Sequence, residues 1–223
     1  PSDWGDRELV WTLNVNGVER KAYGTLKADY LVDNMVIASE TGSLGAGTSS
    51  PESRANVPPI VTVQGDDIRT VRAGESLTLR THVADDGLPT PSNPVEDARR
   101  FAEFAGGPLA AALVTEENVR QRLLMTPPVK VTVDKTNGLF LSWNVYRGAG
   151  KVTYNPQMPK PWEDTRAGSN SPWGSLWEPT PPPADGMYEV DITFEEPGTY
   201  VLWGRADDGG LYHDAYITGN VTE

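Results

Sequence analysis

The stretch that decides the fold is EPGTYVLWGRADDGG, residues 196–210. Pro197-Gly198 turns the chain at its start, and Asp207-Asp208-Gly209-Gly210 turns it at its end. The β-prone run between these turns indicates one strand with two alternating faces. The two faces are Tyr200, Leu202, Ala206 and, opposite them, Val201, Trp203, Arg205.

Tyr200 stands two residues after Gly198 at the start of this strand. That spacing is the pattern of a tyrosine corner, in which the ring is buried and the hydroxyl hydrogen-bonds to backbone upstream. The sequence therefore predicts a sandwich core that is pinned at Tyr200.

Three segments resemble strands of immunoglobulin-like sandwiches, and most of all of bacterial PKD-type domains. Residues 194–210 are similar to the penultimate strand, 74–87 to the second strand, and 141–145 to the third strand with its core tryptophan, Trp143. The matching residues of the first segment are Phe194, Pro197, Gly198, Tyr200 and Asp207 to Gly210. The resemblance covers residues 57–222 and implies an exported bacterial protein. It implies a fold rather than a function, because such sandwiches serve many unrelated tasks.

The expected fold class is all-β, an immunoglobulin-like (PKD-like) antiparallel sandwich over residues 58–223. Insertions are expected at about 88–128 and 155–186. Residues 1–40 are predicted to be the C-terminal part of an N-terminal β domain, and 41–57, rich in Gly and Ser, to be a linker. We expect the layer that starts at Tyr200 to lie face to face with the layer containing Trp143.

The first 40 residues contain the signature of a β-hairpin. Asn16-Gly17 separates two β-prone runs, and both residues tolerate the positive φ that a two-residue turn needs. Because an isolated hairpin is marginal in water, Trp11 and Leu13 are expected to pack on other structure. The N-terminal segment is therefore interpreted as a β-hairpin remnant of a larger domain.

The first insertion has a helical pattern. Asn93 is a good N-cap and Pro94 a good first helical residue, and apolar residues then recur at helical spacing up to Gly106-Gly107, where the helix is predicted to end. A second helix is predicted from Thr115 to Met125. Each helix is expected to bury one apolar stripe, against the other helix or against the sandwich.

The second insertion is a Trp/Pro-rich loop that contains Trp162, Trp173 and Trp177. Tryptophans in such a loop usually anchor it to the domain. The alternative is an aromatic platform for sugars, formed by these three residues together with Tyr154 and Tyr188. Both interpretations stay open at the level of sequence.

The charge and the composition exclude several classes of protein. There are 31 acidic and 19 basic residues in 223, a net charge of -12, which argues against nucleic acid and against anionic membrane surfaces as partners. No run approaches the ~20 apolar residues of a spanning helix. The absence of Cys excludes disulfides, thiolate nucleophiles and Cys-ligated metals.

Two Asp-Asp-Gly turns are candidates for a metal site. The immunoglobulin-like topology that the resemblance implies would bring Asp85, Asp86, Asp207 and Asp208 to one pole of the sandwich, where four carboxylates would suit Ca²⁺. The simpler interpretation is that Asp and Gly form turns. The two histidines, His82 and His213, are more typical of ordinary strand residues than of ligands for a transition metal, and no hydrolase or zinc-protease motif is present.

The predicted function is a non-catalytic extracytoplasmic module, periplasmic or on the cell surface. It is structural or partner-binding, within a larger envelope or cell-surface assembly of proteins. The expected contact surface comprises Phe101, Leu123 and the loop from Trp162 to Trp177, since insertions on rigid scaffolds carry recognition. The alternatives are a carbohydrate-binding accessory module of a secreted hydrolase, which would bind polysaccharide, and a Ca²⁺-dependent adhesion module or metal-dependent enzyme.

Overall fold

The computed structural model describes residues 7–26, 52, 55–91, 93–125, 138–166, 168–174 and 176–223. The chain divides into two compact units, residues 1–33 and 34–223. The described part is mostly β, as the sequence predicts, with three sheets and two long helices. The elements in chain order are β1 Arg7–Val15, β2 Val18–Leu26, β3 Ile60–Val63, β4 Ile68–Arg72, β5 Ser76–Ala84, α1 Pro94–Ala112, α2 Glu116–Met125, β6 Phe140–Arg147, β7 Val152–Asn155, β8 Met187–Phe194, β9 Gly198–Asp207 and β10 Tyr212–Thr222.

The first unit contains the antiparallel hairpin β1–β2. Its turn is formed by Asn16 and Gly17 with φ of 53° and 81°, and the Gly17 amide donates to the Asn14 side chain at 3.0 Å. The hairpin prediction is thereby confirmed. The side chains of Trp11 and Leu13 are 73% and 61% exposed, and their packing on other structure stays a prediction.

The second unit is built on two four-stranded sheets that enclose one hydrophobic core. One sheet has the order β4-β10-β9-β6 and the other β3-β5-β8-β7. The pairs are antiparallel except β10–β4, which is parallel, so the sandwich is not antiparallel throughout. The buried core residues are Val61, Leu79, Val83, Leu141, Trp143, Val190, Ile192, Phe194, Tyr200, Leu202, Ala206, Ile217 and Val221.

The predicted arrangement of Trp143 and Tyr200 is wrong in one respect. Both residues lie in the same sheet, because β6 pairs with β9 and Trp143 stands opposite Gly204. They do share one core, and the layer that faces them is the sheet of β5 and β8. Sequence periodicity identifies which face of a strand is buried, but it carries no information about which strands are neighbours.

The tyrosine corner forms as the sequence predicts. The buried Tyr200 hydroxyl donates to the Glu196 carbonyl at 2.8 Å. Two glycines after β6 lie against the ring: a Cβ on Gly148 would be 2.2 Å from Tyr200 Cδ1, and one on Gly150 would be 2.2 Å from its hydroxyl. Only glycine fits such close approaches, so Gly148 and Gly150 allow the turn after β6 to pack directly against the Tyr200 ring.

The helical insertion differs from the prediction at two points. The Asn93 side chain accepts bonds from the amides of Val95 and Glu96, so the predicted cap is correct. The first helical stretch ends at Gly106-Gly107 as predicted, because Gly107, with φ 76° and ψ -174°, is not helical; a further helical stretch, which was not predicted, begins directly at Pro108, a residue that suits a first helical position. The expected apolar stripes are covered only in part, since Val95, Ala98 and Ala102 of α1 and Val119 and Leu123 of α2 are half-buried and no residue of either helix is fully buried.

Among the described helices, none combines the length and the apolar character that crossing a bilayer requires.

Part of the predicted linker can be followed. Its described end lies against the turn after β5, where Glu52 accepts from the Thr90 amide and Asp86 accepts from the Val57 amide, both at 2.9 Å. The rest of the linker lies outside the described residues, as do residues 126–137.

Candidate functional site

One outer face of the sandwich has an unusual composition. We call it the aromatic sheet face: six side chains on the outside of β6, β9 and β10, which are Tyr146, Trp203, Arg205, Tyr212, Asp214 and Tyr216. The register places Tyr216 opposite Trp203 and Asp214 opposite Arg205. Because side chains alternate along a strand, these residues point away from the core that Tyr200 and Leu202 fill.

Arg205 organises the centre of this face. Its guanidinium lies 3.6 Å from the centroid of the Tyr212 ring and 4.8 Å from that of Trp203. It donates two hydrogen bonds to the Asp214 carboxylate, at 2.7 and 2.9 Å. Burial opposes its positive charge, but the bonds to Asp214 outweigh this effect and raise the Arg205 pKa. The result is a rigid, charge-neutral cluster.

Two tyrosines form the exposed edge of the aromatic sheet face. Tyr146 and Tyr216 meet edge to face, with ring centroids 5.8 Å apart and planes at 78°. They are 64% and 52% exposed. Exposed aromatic rings on a rigid sheet provide contact area at low entropic cost, which is how proteins build binding surfaces.

The outer face of the opposite sheet carries polar and charged cross-strand pairs that are common on solvated sheets. Thr78 donates to Asp191 at 2.6 Å, and Arg80 pairs with Glu189 across the strands β5 and β8. Such solvated cross-strand pairs contribute little to binding or stability. The two faces of the sandwich are therefore chemically different, and only one of them combines Tyr, Trp and Arg.

The sequence contained part of this signal. The alternation in β9 places Trp203 and Arg205 on the outside, and Tyr212, Asp214 and Tyr216 have the same period of two. No binding role was predicted for them, because the pairing of β9 with β10 is not readable from the two strands alone. Tyr146 also has the outward parity, because Trp143 three residues before it faces the core, but the pairing that brings it beside Tyr216 is not visible in β6 alone.

The predicted tryptophan loop divides into anchors and an exposed residue. The Trp177 ring lies edge-on to Phe140 with centroids 5.2 Å apart, and its indole nitrogen donates to Asn170 at 2.9 Å. Trp173 is partly buried, whereas Trp162 is 50% exposed. Trp177 thus anchors the loop over the outside of β6.

The two tyrosines of the predicted sugar platform lie elsewhere. Tyr154 and Tyr188 pack against the hydrophobic core from β7 and β8. Burial raises the pKa of both phenols, that of Tyr188 to about 12 with a smaller contribution from the nearby Asp85 carboxylate. Tyr154 and Tyr188 therefore pack against the core, whereas Trp162 is exposed to solvent.

Asp164 forms ion pairs within the loop. Arg166 and Lys160 both bind this carboxylate and hold its pKa well below the usual range. The Ser171 hydroxyl donates to the Trp162 carbonyl at 2.8 Å, and the Ser142 hydroxyl of β6 donates to the Pro159 carbonyl. These contacts define the loop shape without regular secondary structure.

The first acidic turn uses its carboxylates to hold backbone. Asp85 accepts from the Gly87 amide at 2.9 Å. Asp86 accepts from the amides of Leu88 and Val57, also at 2.9 Å. Burial raises the Asp85 pKa, with a smaller contribution from the neighbouring Asp86 charge.

The second acidic turn is buried and faces the same segment. Asp207 accepts from the Gly209 amide at 2.8 Å, and one oxygen of Asp208 accepts from the amides of Gly210 and Leu211, each at 2.6 Å. The Asn56 side chain lies beside Asp208 and lowers its pKa without full hydrogen-bond geometry, yet burial dominates and raises that pKa to about 7. The two turns thus meet the segment Asn56-Val57 at one pole.

The acidic turns and the two histidines were considered as metal ligands. Within the described ranges, no three His, Asp or Glu side chains come together as a metal-binding group. His213 uses its Nδ1 to accept from the Val61 amide at 3.0 Å, and His82 stands opposite Thr62 in the sheet. The calcium site at Asp85, Asp86, Asp207 and Asp208 stays a prediction.

The helical insertion presents the other predicted contact residues. Phe101 is 68% exposed on α1, and Leu123 is half-buried on α2. Whether they contact a partner stays a prediction.

Comparisons with known proteins give only weak similarities to solved structures. No protein-family model matches the chain, and no curated protein matches it in sequence. Among solved structures, it is similar to a conjugative transposon lipoprotein from Bacteroides eggerthii, with 8% identity, a TM-score of 0.37, and coverage of 73% of this chain and 97% of that chain.

Two further solved structures are also found. Domains 4 and 5 of the S-layer protein SbsC have 12% identity and a TM-score of 0.28, with 97% of this chain and 58% of that chain covered. The D00-D0 domain of intimin has 9% identity and a TM-score of 0.29, with 96% and 64% covered. TM-scores this low indicate nothing about what this chain binds. The class of protein defined so far is a mostly β, sandwich-containing module.

Proposed function

We propose that this chain is a non-catalytic, extracytoplasmic module that binds a protein partner, with an immunoglobulin-like, PKD-type sandwich as its scaffold. It serves as a structural subunit of a larger envelope or cell-surface assembly. The observation that carries the proposal is the aromatic sheet face, where Tyr146, Trp203 and Tyr216 surround the Arg205–Asp214 pair. Tyr, Trp and Arg are the residues that dominate protein–protein hot spots.

Charge supports a protein partner for this face. The chain carries a net charge of -12, yet Arg205 and Asp214 neutralise each other at the centre of the aromatic sheet face. A neutral, aromatic patch brings no like charge into direct contact with a partner, whereas the charged surface around it would do so for an acidic one. The edge-to-face tyrosines do not form a flat platform, which makes sugar stacking the weaker alternative.

The proposal is tested by site-specific photo-crosslinking from Tyr216 in cells that naturally produce the chain. The crosslinked protein is then purified and its affinity measured. We expect Tyr146→Ala with Tyr216→Ala to weaken binding at least about tenfold, because exposed aromatic anchors carry most of such energy.

The matched control is Arg80→Ala with Glu189→Ala on the opposite face, a pair whose side chains are 60% and 50% exposed. This control is expected to leave the affinity unchanged. Equal weakening by both double variants, or a polysaccharide ligand that competes at Tyr216, would overturn the proposal.

A further inference from the structure

The tip of the helical insertion is an uncharged apolar segment. Residues 104–114 read FAGGPLAAALV and contain no charged side chain and no side-chain hydrogen-bond donor or acceptor. We call these 11 residues the apolar tip. The charged residues of the insertion lie on both sides of it, and they are Glu96, Asp97, Arg99, Arg100 and Glu103 before the tip and Glu116, Glu117, Arg120 and Arg122 after it.

The apolar tip faces solvent to an extent that soluble helices avoid. Phe104 is 91% exposed, Leu109 78% and Leu113 71%. Only residues 107, 110, 111 and 114 are half-buried, and the other seven are exposed. At 100° per residue the exposed positions 104–106 before the kink span an arc of about 200°, and the exposed positions 108, 109, 112 and 113 after it span about 140°.

The chemistry of the apolar tip fits hydrocarbon better than a protein surface. Non-obligate protein interfaces are about as polar as the rest of the surface and form roughly one hydrogen bond per 100–200 Å². The side chains of the apolar tip offer no hydrogen bond at all. A helix that is apolar over most of its circumference is normally surrounded by an apolar medium.

The dimensions limit how deep such a segment can go. At ~1.5 Å per residue the apolar tip is roughly 16 Å long, about half of a hydrocarbon core of ~30 Å. The kink at Gly107 further shortens its reach. A segment of this length lies in the interfacial region of one leaflet and does not span the bilayer.

We propose that the apolar tip inserts into a lipid surface and attaches the module peripherally to a membrane. Insertion is driven by burial of Phe104, Leu109 and Leu113, with the flanking charged residues remaining at the water boundary. Because the apolar tip is uncharged and the chain is acidic, anionic lipids do not strengthen the attachment. This proposal is independent of protein binding through the aromatic sheet face.

The test uses the full chain and phosphatidylcholine vesicles, in a flotation assay. We expect wild type to float with the vesicles at both low and high salt, and Leu109→Glu with Leu113→Glu to reduce the bound fraction at least about tenfold. The matched control is Ile60→Glu with Ile68→Glu, which adds the same charge at positions 57% and 63% exposed outside the insertion. It is expected to float like wild type.

A second measurement reports on the site directly. The chain has no cysteine, so Leu109→Cys and Ile68→Cys each create a unique attachment point for an environment-sensitive dye. We expect vesicles to shift the emission of the dye to the blue at position 109 and not at position 68.

Three results would overturn the lipid proposal. They are failure of wild type to float, flotation that the tip variant does not reduce, and a blue shift at position 109 that appears at high protein concentration without vesicles. The last result would assign the apolar tip to self-association. None of them bears on the crosslinking experiment at Tyr216, so the two proposals fail separately.

Discussion

Asp208 is fully buried although it belongs to a turn. One of its oxygens is fixed by two backbone amides, and the other lies beside Asn56 without a hydrogen-bond partner. The neighbouring Asp207 adds a smaller repulsion to the effect of burial, so the Asp208 pKa of about 7 lies well above its unfolded value of about 4. The protonated form is therefore favoured by folding.

This residue makes stability depend on pH in a defined direction. Because the folded pKa is raised, the stabilisation is fully present below about pH 4 and is lost as the pH rises through 7. Asp208→Asn keeps a neutral side chain at every pH. Between pH 5 and pH 8, we expect wild type to lose about 2 kcal/mol of unfolding free energy relative to this variant.

Urea denaturation of both proteins across this pH range measures the difference. If the unfolding free energy of wild type relative to Asp208→Asn does not change between pH 5 and pH 8, Asp208 is ionised in the folded state. Addition of Ca²⁺ in the same experiment tests the acidic turns, since a bound cation would stabilise wild type and not the variant.

At the scale of elements, β9 shows how one strand supports both the core and the aromatic sheet face. Tyr200 and Leu202 point inward, Trp203 and Arg205 outward, and Gly204 stands between them. A Cβ on Gly204 would lie 2.7 Å from the Trp143 ring of the neighbouring strand. The glycine is required by this close approach and not by its backbone angles.

We expect Gly204→Ala to destabilise the second unit by roughly 2 kcal/mol, because the Trp143 ring or the strand has to move. Gly219→Ala is the matched control: it also points inward, on β10, but its Cβ would lie 3.3 Å from Phe194, so a smaller loss is expected. Thermal or urea unfolding measures both. Equal losses would show that Trp143 is not held against β9.

At the scale of the whole molecule, the second unit joins parts of different stability. The sandwich encloses the core, whereas α1 and α2 contribute no buried residue to it. Helices without buried apolar contacts open at low free energy, while core strands open only with global unfolding. The module is therefore a rigid scaffold with a labile insertion.

Native-state hydrogen exchange checks this division. We expect amides of α1 and α2 to exchange at least about 100-fold faster than those of β5, β8 and β9 in the chain alone. Protection of the helices equal to that of the strands would contradict the division and would show that another surface covers them.

Local sequence patterns were enough to predict the tyrosine corner at Tyr200, the hairpin at Asn16-Gly17 and the helix cap at Asn93, because each depends on the conformational preferences of neighbouring residues. The meeting of the two acidic turns at one pole was predicted only through the resemblance to immunoglobulin-like sandwiches. Local patterns could not predict that β6 and β9 are neighbours, that the helix resumes after Gly107, or that the insertion leaves Phe104 and Leu109 exposed. Only the tertiary structure decided these points, and with them the aromatic sheet face, because strand pairing and the covering of an apolar side chain depend on residues distant in the chain.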